Sequence, residues 1–341
     1  MNLEKILKEL YISQYIKDSD LKTLIESEEE TSLLNLADKK RKEIYKNYVY
    51  FRGLIEFTNH CKNNCFYCGI RKDNTSLKRY RLTNEEILDC CERGYSLGLR
   101  TFVLQGGEDP FYTDERICCI ISKIKEKFKE CAITLSIGEK DKESYLAFFK
   151  AGAQRFLLRH ETADKNHYKK LHTKEMSFEN RKQCLFNLKK IGFATGSGFM
   201  VGSPFQTTEG IIKDIRFLQK LKPEMIGIGP FIVHKNTPFK KEKNGSANLT
   251  VRLIAILRLL FPKALIPATT ALFSLDLNIA KKALQSGANV IMPNITPKKY
   301  VKLYSLYNNK IIRPHKTLKN LKKEVYLAGY KFKVSRGDPK T

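Results

Sequence analysis

Short apolar runs rich in β-branched and aromatic residues recur along the chain, each followed by a segment with the three-to-four-residue spacing of an amphipathic helix. The runs are LIEFT (54–58), TFVLQ (101–105), AITLS (132–136), RFLLR (155–159), ATGSGFMV (194–201), IGIGP (226–230), ALIPA (264–268) and NVIMP (289–293). Eight strands alternating with helices predict an α/β fold, a parallel (β/α)8 barrel of the TIM type rather than an open doubly wound sheet. Helix starts are legible too. Thr83-Asn84-Glu85-Glu86 reads as a capping box leading into Ile87, Leu88, Cys91 and Tyr95. Thr113, with Asp114 and Glu115 behind it, opens a helix whose apolar side is Ile117, Ile121, Ile124 and Phe128. The expected organisation is a helical lead over residues 1–50, a barrel over 51–296, and a helical extension over 297–341 packed on it.

Composition changes that picture little, but charge adds a question. The chain has 341 residues, 42% of them hydrophobic, enough for a substantial core, and a net charge of +26. Residues 1–50 carry 9 basic and 10 acidic side chains, whereas residues 297–341 carry 13 and 2. The tail lysines Lys298, Lys299, Lys302, Lys319, Lys322, Lys323 and Lys331 are scattered among Tyr and Leu, as on the solvated face of helices. They offer a docking face for an acidic electron donor or scaffold rather than a nucleic-acid footprint. Nine cysteines, at 61, 65, 68, 90, 91, 118, 119, 131 and 184, make a poor disulfide framework, which points to a reducing cytoplasm. The N-terminus is amphipathic without the apolar core of a signal peptide, and charged or Gly/Pro positions interrupt every greasy stretch, so no membrane is expected.

A barrel builds its site from the loops at the carboxyl ends of its strands, and polar residues collect there. The first such loop holds Cys61, Cys65 and Cys68, spaced C-x3-C-x2-C. Three thiolates on one loop reach three corners of a cubane, and soft ligands suit iron and sulfur. A structural zinc site lacks its fourth ligand, because His60 adjoins Cys61 and no second C-x2-C follows. Gln105-Gly106-Gly107-Glu108 ends the second strand and Ser136 the third. Arg159 and Glu161 flank His160 after the fourth, offering either a cation and a carboxylate to a zwitterionic ligand or an ion pair closing the barrel top. Arg181 reads equally as a carboxylate binder or a surface cation. His167 and His172 fall in a charged helix and are expected to be exposed; Cys90, Cys91, Cys118, Cys119 and Cys184 are expected to pack.

The C-x3-C-x2-C loop with Tyr67 before its last cysteine resembles that of radical S-adenosylmethionine enzymes, and Gly106-Gly107-Glu108 resembles their second motif. The stretches IEFTNHCKNNCFYCGIRKDN, VLQGGEDP, RFLLRHETAD, SFENR, IGIGPFIVH, IPATTA and GANVIMPNITP are similar to the HydE maturases of FeFe hydrogenases, a branch related to biotin synthase and methylornithine synthase. The resemblance implies one 4Fe-4S cluster on Cys61, Cys65 and Cys68, with the fourth iron open to S-adenosylmethionine. It implies that Tyr67, Gly106, Gly107, Glu108, Ser136, Glu161 and Arg181 contact the cofactor, and that Gln105, Thr134, Arg159, Met225, Thr269, Thr270 and Tyr304 line a substrate cavity. A small iron-cysteine or thiol-type substrate, an electron donor such as a ferredoxin or flavodoxin, and the other hydrogenase maturases follow as partners. Some relatives carry a second cluster near the C-terminus; IIRPHKTLKNLKKE has no cysteine, so one cluster is expected. Gly106 and Phe205 depart from the relatives' usual Ser and Gly. A methylornithine-synthase-like mutase, a biotin-synthase-like sulfur inserter and a metal-binding nucleic-acid protein remain as alternatives.

Overall fold

The computed structural model describes residues 3–275, 277–308, 310 and 318–340. Three helices lead, α1 (Leu3–Ser13), α2 (Asp18–Glu26) and α3 (Thr31–Tyr45), followed by β1 (Tyr48–Phe51). Next come β2 (Gly53–Thr58), α4 (Asn84–Ser96), β3 (Thr101–Gly106), α5 (Asp114–Lys127), β4 (Ala132–Ser136), α6 (Lys142–Ala151) and β5 (Arg155–Leu157). The chain continues through α7 (Lys165–Leu171), α8 (Phe178–Ile191), β6 (Ala194–Ser197), β7 (Met200–Val201), α9 (Thr208–Leu221), β8 (Met225–Ile226), β9 (Gly229–Pro230) and α10 (Ala247–Leu260). It ends with α11 (Thr270–Leu275), α12 (Leu277–Leu284), β10 (Val290–Ile291), α13 (Lys298–Val301), α14 (Leu318–Leu327) and β11 (Lys331–Lys333).

Strands β2, β3, β4, β5, β6 and β8 pair in that order, all parallel. Single parallel bridges carry the ring onward from Met225 to Leu265, from Pro267 to Val290 and from Asn294 to Leu54. Eight strand positions, one per predicted run, therefore close a TIM-like barrel. Its seam is thin because Pro267 and Pro293 have no N–H to give a continuous ladder. Two predicted strands are split. The run at 194–201 breaks at Gly198, where a Cβ would stand 2.0 Å from the carbonyl oxygen of Gly227, and the run at 226–230 breaks beside it; β7 and β9 then pair separately.

Alternation sets what the barrel encloses. Ile55, Phe57, Phe102, Leu104, Ile133, Leu135 and Phe156 pack outward against helix residues such as Ile87, Ile117, Ile121, Ile124, Leu185 and Leu188. The residues between them, Glu56, Gln105 and Thr134, consequently face inward. The capping box at Thr83 forms with both of its hydrogen bonds, and Thr113 caps α5. Cys90, Cys91, Cys131 and Cys184 are buried, whereas Cys118 is half-buried and Cys119 is exposed. Cys119 is thus not a packing residue: lying two positions from both Ile117 and Ile121, it falls on the opposite side of α5.

Both extensions contain more than helix. Residues 48–50 of the lead form most of β1, which pairs in parallel with β10 and with β11 from the tail. Residues 336–338 then plug the amino end of the barrel. The buried Arg155 at the start of β5 donates to the Arg336 carbonyl (2.9 Å) and to Asp338 Oδ1 (2.7 Å). Gly337 sits at φ +55°, with a Cβ at that position only 2.7 Å from the Tyr50 ring. Burial would raise the Asp338 carboxyl, but its bond to Arg155 holds it below the usual carboxylate value. Its stabilising contribution is therefore present at neutral pH and lost as pH falls through that lowered value. Asp338→Asn is expected to cost about 1–2 kcal/mol at pH 7, a modest figure because the carboxylate is half exposed and Arg155 keeps its carbonyl partner. Urea melts of wild type and variant at neutral pH should show that gap, and melts near pH 3 should show it narrowed.

Candidate active site

The cysteine loop follows β2 and is built from buried amides and one arginine. Asn59 accepts from the Tyr80 amide (2.8 Å) and donates to the carbonyls of Lys78 and Leu303 (2.9 and 2.8 Å). Arg79 spreads its guanidinium over the carbonyls of Asn59, Ile70 and Arg71 at 2.5, 2.9 and 2.7 Å, which closes the loop on itself. The three thiols keep partial solvent contact while protein crowds them on every side, as groups lining a cavity do. Burial and the neighbouring thiols push Cys68 up to about 12 and Cys65 well above the ordinary thiol value; burial raises Cys61 as well. Among the described residues no three His, Cys, Asp or Glu side chains are grouped as the ligands of a single ion. Thiols serving separate irons of one cluster need a wider spacing than that.

The second and third loops press against the first. Lys62 N–H donates to the Glu108 carbonyl at 2.8 Å. A Cβ on Gly107 would stand 2.2 Å from the His60 carbonyl oxygen and 2.6 Å from Cys61 Cβ, so only glycine permits this approach. Gly138, at φ +81°, leaves room for the Glu108 side chain, whose Oε1 accepts from the Glu139 amide at 2.9 Å. Glu108 Oε2 is 3.6 Å from Lys62 Nζ. Glu108 is therefore a bracket joining three strand-end loops. Asp109 braces the same junction, accepting from Thr58 (2.7 Å) and from both Nε and Nη2 of Arg81 (2.7 and 2.9 Å).

Across the barrel mouth stand the charged residues. Glu161 is buried and held at φ +64°, a left-handed conformation that costs a non-glycine residue strain and marks sites where a side chain must be aimed. Its Oε1 accepts from Arg159 Nε at 3.0 Å, while its Oε2 is buried without a partner. Arg181, at the start of α8, is buried in ionic contact with Glu139 (2.6 Å), outside hydrogen-bonding alignment, and donates to the Arg159 carbonyl at 3.2 Å. Burial opposes its charge, yet Glu139, Tyr168 and Glu108 more than compensate and hold it firmly protonated. Arg181 is thus no surface cation.

His167 and His172 are buried rather than exposed, because α7 packs His172 against Tyr67 of the cysteine loop and His167 against Thr162 and the Ser203-Pro204 turn. His172 Nδ1 faces the Tyr168 carbonyl (3.0 Å), which leaves Nε2 to accept from the Tyr67 hydroxyl at 3.2 Å. Burial and the nearby Arg181 drive His172 down to about 3, so it is neutral. Tyr67 itself is enclosed, and burial together with Glu161 and Cys65 raises its phenol. His167 bonds Thr162 Oγ1 and the Pro204 carbonyl (3.1 and 2.9 Å), tying α7 to the loop after β7.

Below the mouth, Gln105 Nε2 reaches the Tyr304 hydroxyl at 3.4 Å, and Gln105, Ser136 and Arg159 retain partial exposure although they belong to the barrel wall. The hydroxyls of buried Thr134 and half-buried Thr269 have no protein partner. Met225 accepts from Arg52 Nη1 at 3.0 Å, and Thr270 begins α11. Several neighbours carried little sequence signal. Glu56 pairs with Lys310 and accepts from Asn294 Nδ2 at 2.8 Å. Its one clue is a charge at an inward position of an otherwise apolar strand. Arg52, Tyr168 and Tyr307 are brought in only by the closed ring.

Residues 55–218 match the model of the Radical SAM superfamily. The FeFe hydrogenase maturase subunit HydE of Thermotoga maritima is 46% identical over 82% of this chain and 80% of its own. The chain belongs to the HydE family of radical SAM enzymes. A 3-methylornithine synthase of Methanosarcina acetivorans is 33% identical over 84% of this chain and 81% of its own. A crystal structure of methylornithine synthase superposes with a TM-score of 0.85 at 28% identity, covering 96% of this chain and 97% of that one. Radical SAM enzymes use a 4Fe-4S cluster and S-adenosylmethionine, and the residues present fit both groups. Three crowded thiols share one loop, an unpartnered carboxylate oxygen of Glu161 lies near Cys68, and the hydroxyls of Thr134 and Thr269 are unpartnered too.

Proposed function

We propose that this enzyme acts in FeFe-hydrogenase maturation, processing a small iron-cysteine or thiol-type molecule inside the barrel. The observation that carries the reading is the convergence of Cys61, Cys65 and Cys68 with the unpartnered Glu161 carboxylate oxygen at one mouth of a closed ring. Cys61, Cys65 and Cys68 hold three irons of a single cluster; the tail supplies no cysteine for a second, although residues 311–317 lie outside the described part of the chain. When bound, the cluster and S-adenosylmethionine supply one electron and a 5′-deoxyadenosyl radical, the hard chemistry the side chains lack.

The chain's own residues orient and enclose. Glu161, aimed by its strained backbone and Arg159, accepts hydrogen bonds from the cofactor, and Arg181 holds its carboxylate side while Ser136 and the Gly106-Gly107 turn let backbone approach closely. Tyr67, locked to neutral His172, shields the cluster from water. Gln105, Thr134, Met225, Thr269, Thr270 and Tyr304 form the substrate wall, with Thr134 and Thr269 hydroxyls available to a polar substrate. Among the described residues no helix is long and apolar enough to cross a membrane. We place the enzyme in the cytoplasm, beside the other hydrogenase maturases and a ferredoxin- or flavodoxin-type donor.

The reading is tested by anaerobic reconstitution, followed by measurement of 5′-deoxyadenosine with candidate iron-cysteine complexes, methylornithine-synthase substrate and biotin-synthase substrate in parallel. Turnover coupled to an iron-cysteine complex supports the proposal. Product from lysine or dethiobiotin would assign the chain to the neighbouring branches.

A further inference from the structure

The fold divides the basic tail, holding residues 303–306 against the cysteine loop and sending β11 and residues 336–338 to the opposite end of the barrel. The tail's β11 and residues 336–338 cover the amino ends of the strands, contacting Thr101 and Arg155. The cysteines lie at the carboxyl ends. Strands rise about 3.3 Å per residue, so a donor on β11 and residues 336–338 would be separated from the cysteine loop by the height of the barrel, roughly 20 Å. Electron transfer weakens steeply over such a gap.

The mouth carries its own basic surface. Segments 165–176 and 235–244 flank the cysteine loop and together hold eight lysines and two glutamates. Both segments touch that loop. The Phe66 amide donates to the Leu171 carbonyl, Cys65 Sγ is 3.6 Å from Met176 Sδ, and Phe66 packs edge-on to Phe239 with ring centres 6.2 Å apart. Lys169, Lys170, Lys174, Lys235, Lys240, Lys241 and Lys243 are all exposed.

Against one of these lysines, Lys170, stands Phe205. It is 56% exposed and adopts φ +68°, so a strained backbone presents a large apolar ring to solvent. The ring is not loose: Phe239 packs edge-on at 6.3 Å and Lys170 Nζ lies 4.9 Å from its centre. Phe205, Phe239 and Phe66 thus form a continuous aromatic path from the surface to the residue next to Cys65. An exposed aromatic packed against a lysine on a basic surface is the arrangement of an interface anchor within a complementary charged rim.

We propose that the face formed by Phe205, Lys170, Lys174, Lys240 and Lys241 docks an acidic one-electron carrier protein, which delivers its electron to the cluster past Phe205, Phe239 and Phe66. The proposal rests on the cluster assignment above. One electron leaves the carrier, which is oxidised, and enters the cluster, which is reduced; no bond in the docking face changes.

The test uses the reconstituted full-length protein and a reduced acidic flavodoxin, and measures both the affinity of the complex against ionic strength and the rate of cluster bleaching by stopped flow. Lys170→Glu/Lys240→Glu/Lys241→Glu is expected to weaken binding and slow flavodoxin-driven reduction by about ten-fold or more at low salt. Phe205→Gly, which relieves the strain, is expected to slow it several-fold without loss of thermal stability. Lys319→Glu/Lys323→Glu on the tail should change neither, and dithionite should reduce all of these proteins at the wild-type rate. Unchanged flavodoxin kinetics in the mouth variants, or slowing confined to the tail variant, overturns the proposal, as does a mouth surface that binds oligonucleotide and leaves flavodoxin unaffected. Failure of dithionite to reduce the wild type would instead remove the cluster assignment, and this inference with it.

Discussion

Cys65→Ala protein, reconstituted anaerobically with iron and sulfide, is expected to show no stable charge-transfer absorbance and to form no 5′-deoxyadenosine above background. Cys65 is enclosed like Cys68, and the loop around it is fixed by Asn59 and Arg79 rather than free to recruit another ligand. The remaining cysteines cannot substitute. Cys90, Cys91, Cys131 and Cys184 are buried in the core or against helices, and Cys118 and Cys119 lie on α5 outside the barrel. With the proposed ligand set, losing one of three protein ligands from a cluster whose fourth iron is open would leave two irons exposed to solvent and oxidant. The variant should nonetheless keep its helical circular dichroism, because the core does not depend on the thiol. A full complement of iron and sulfide on Cys65→Ala, with deoxyadenosine still formed, would show that the ligand set is wrong.

Glu161→Gln is expected to leave the cluster intact and to weaken S-adenosylmethionine binding by about 10- to 100-fold. That range corresponds to roughly 1.5–3 kcal/mol for a hydrogen bond to a buried charged acceptor. The substitution keeps side-chain shape, and the amide oxygen still accepts from Arg159, so the loop should not collapse. What it removes is the negative charge on the Oε2 side, the only unpartnered carboxylate oxygen placed beside Tyr67 and Arg159 among the described residues. Isothermal titration of the cofactor into reconstituted protein, with iron and sulfide counted on the same sample, separates binding from cluster loss. Unchanged affinity would return Glu161 to a purely structural part, closing the barrel top with Arg159.

The framework of the barrel was readable because its two periodicities are local. A strand that packs helices on one side must repeat apolar residues at every second position, and the helix starts at Thr83 and Thr113 announce themselves through capping side chains within three residues. The cysteine motif was equally legible: its ligands sit within eight residues, on one loop. Legibility fell where a residue's environment is made by distant segments. His167 and His172 looked solvated in a lysine-rich helix, and only packing of α7 against the cysteine loop and the loop after β7 buries them. The tail looked wholly helical because β11 is three residues long and exists only by pairing with β1, some 280 positions earlier.

The sequence by itself determined the parallel barrel, the three-thiol loop and the glycine turns that bring a second loop against it, since each depends on spacing or on the absence of a side chain at one position. Tertiary structure decided which charges are buried, which carboxylate oxygen is left for a ligand, and which basic surface lies nearest the cysteines. Those properties depend on solvent exclusion and on distances across the closed ring. The same +26 net charge is compatible with a docking face at either end of the barrel, and only the fold places Phe205 and Lys170 beside the cysteine loop and residues 331–338 of the tail at the far end.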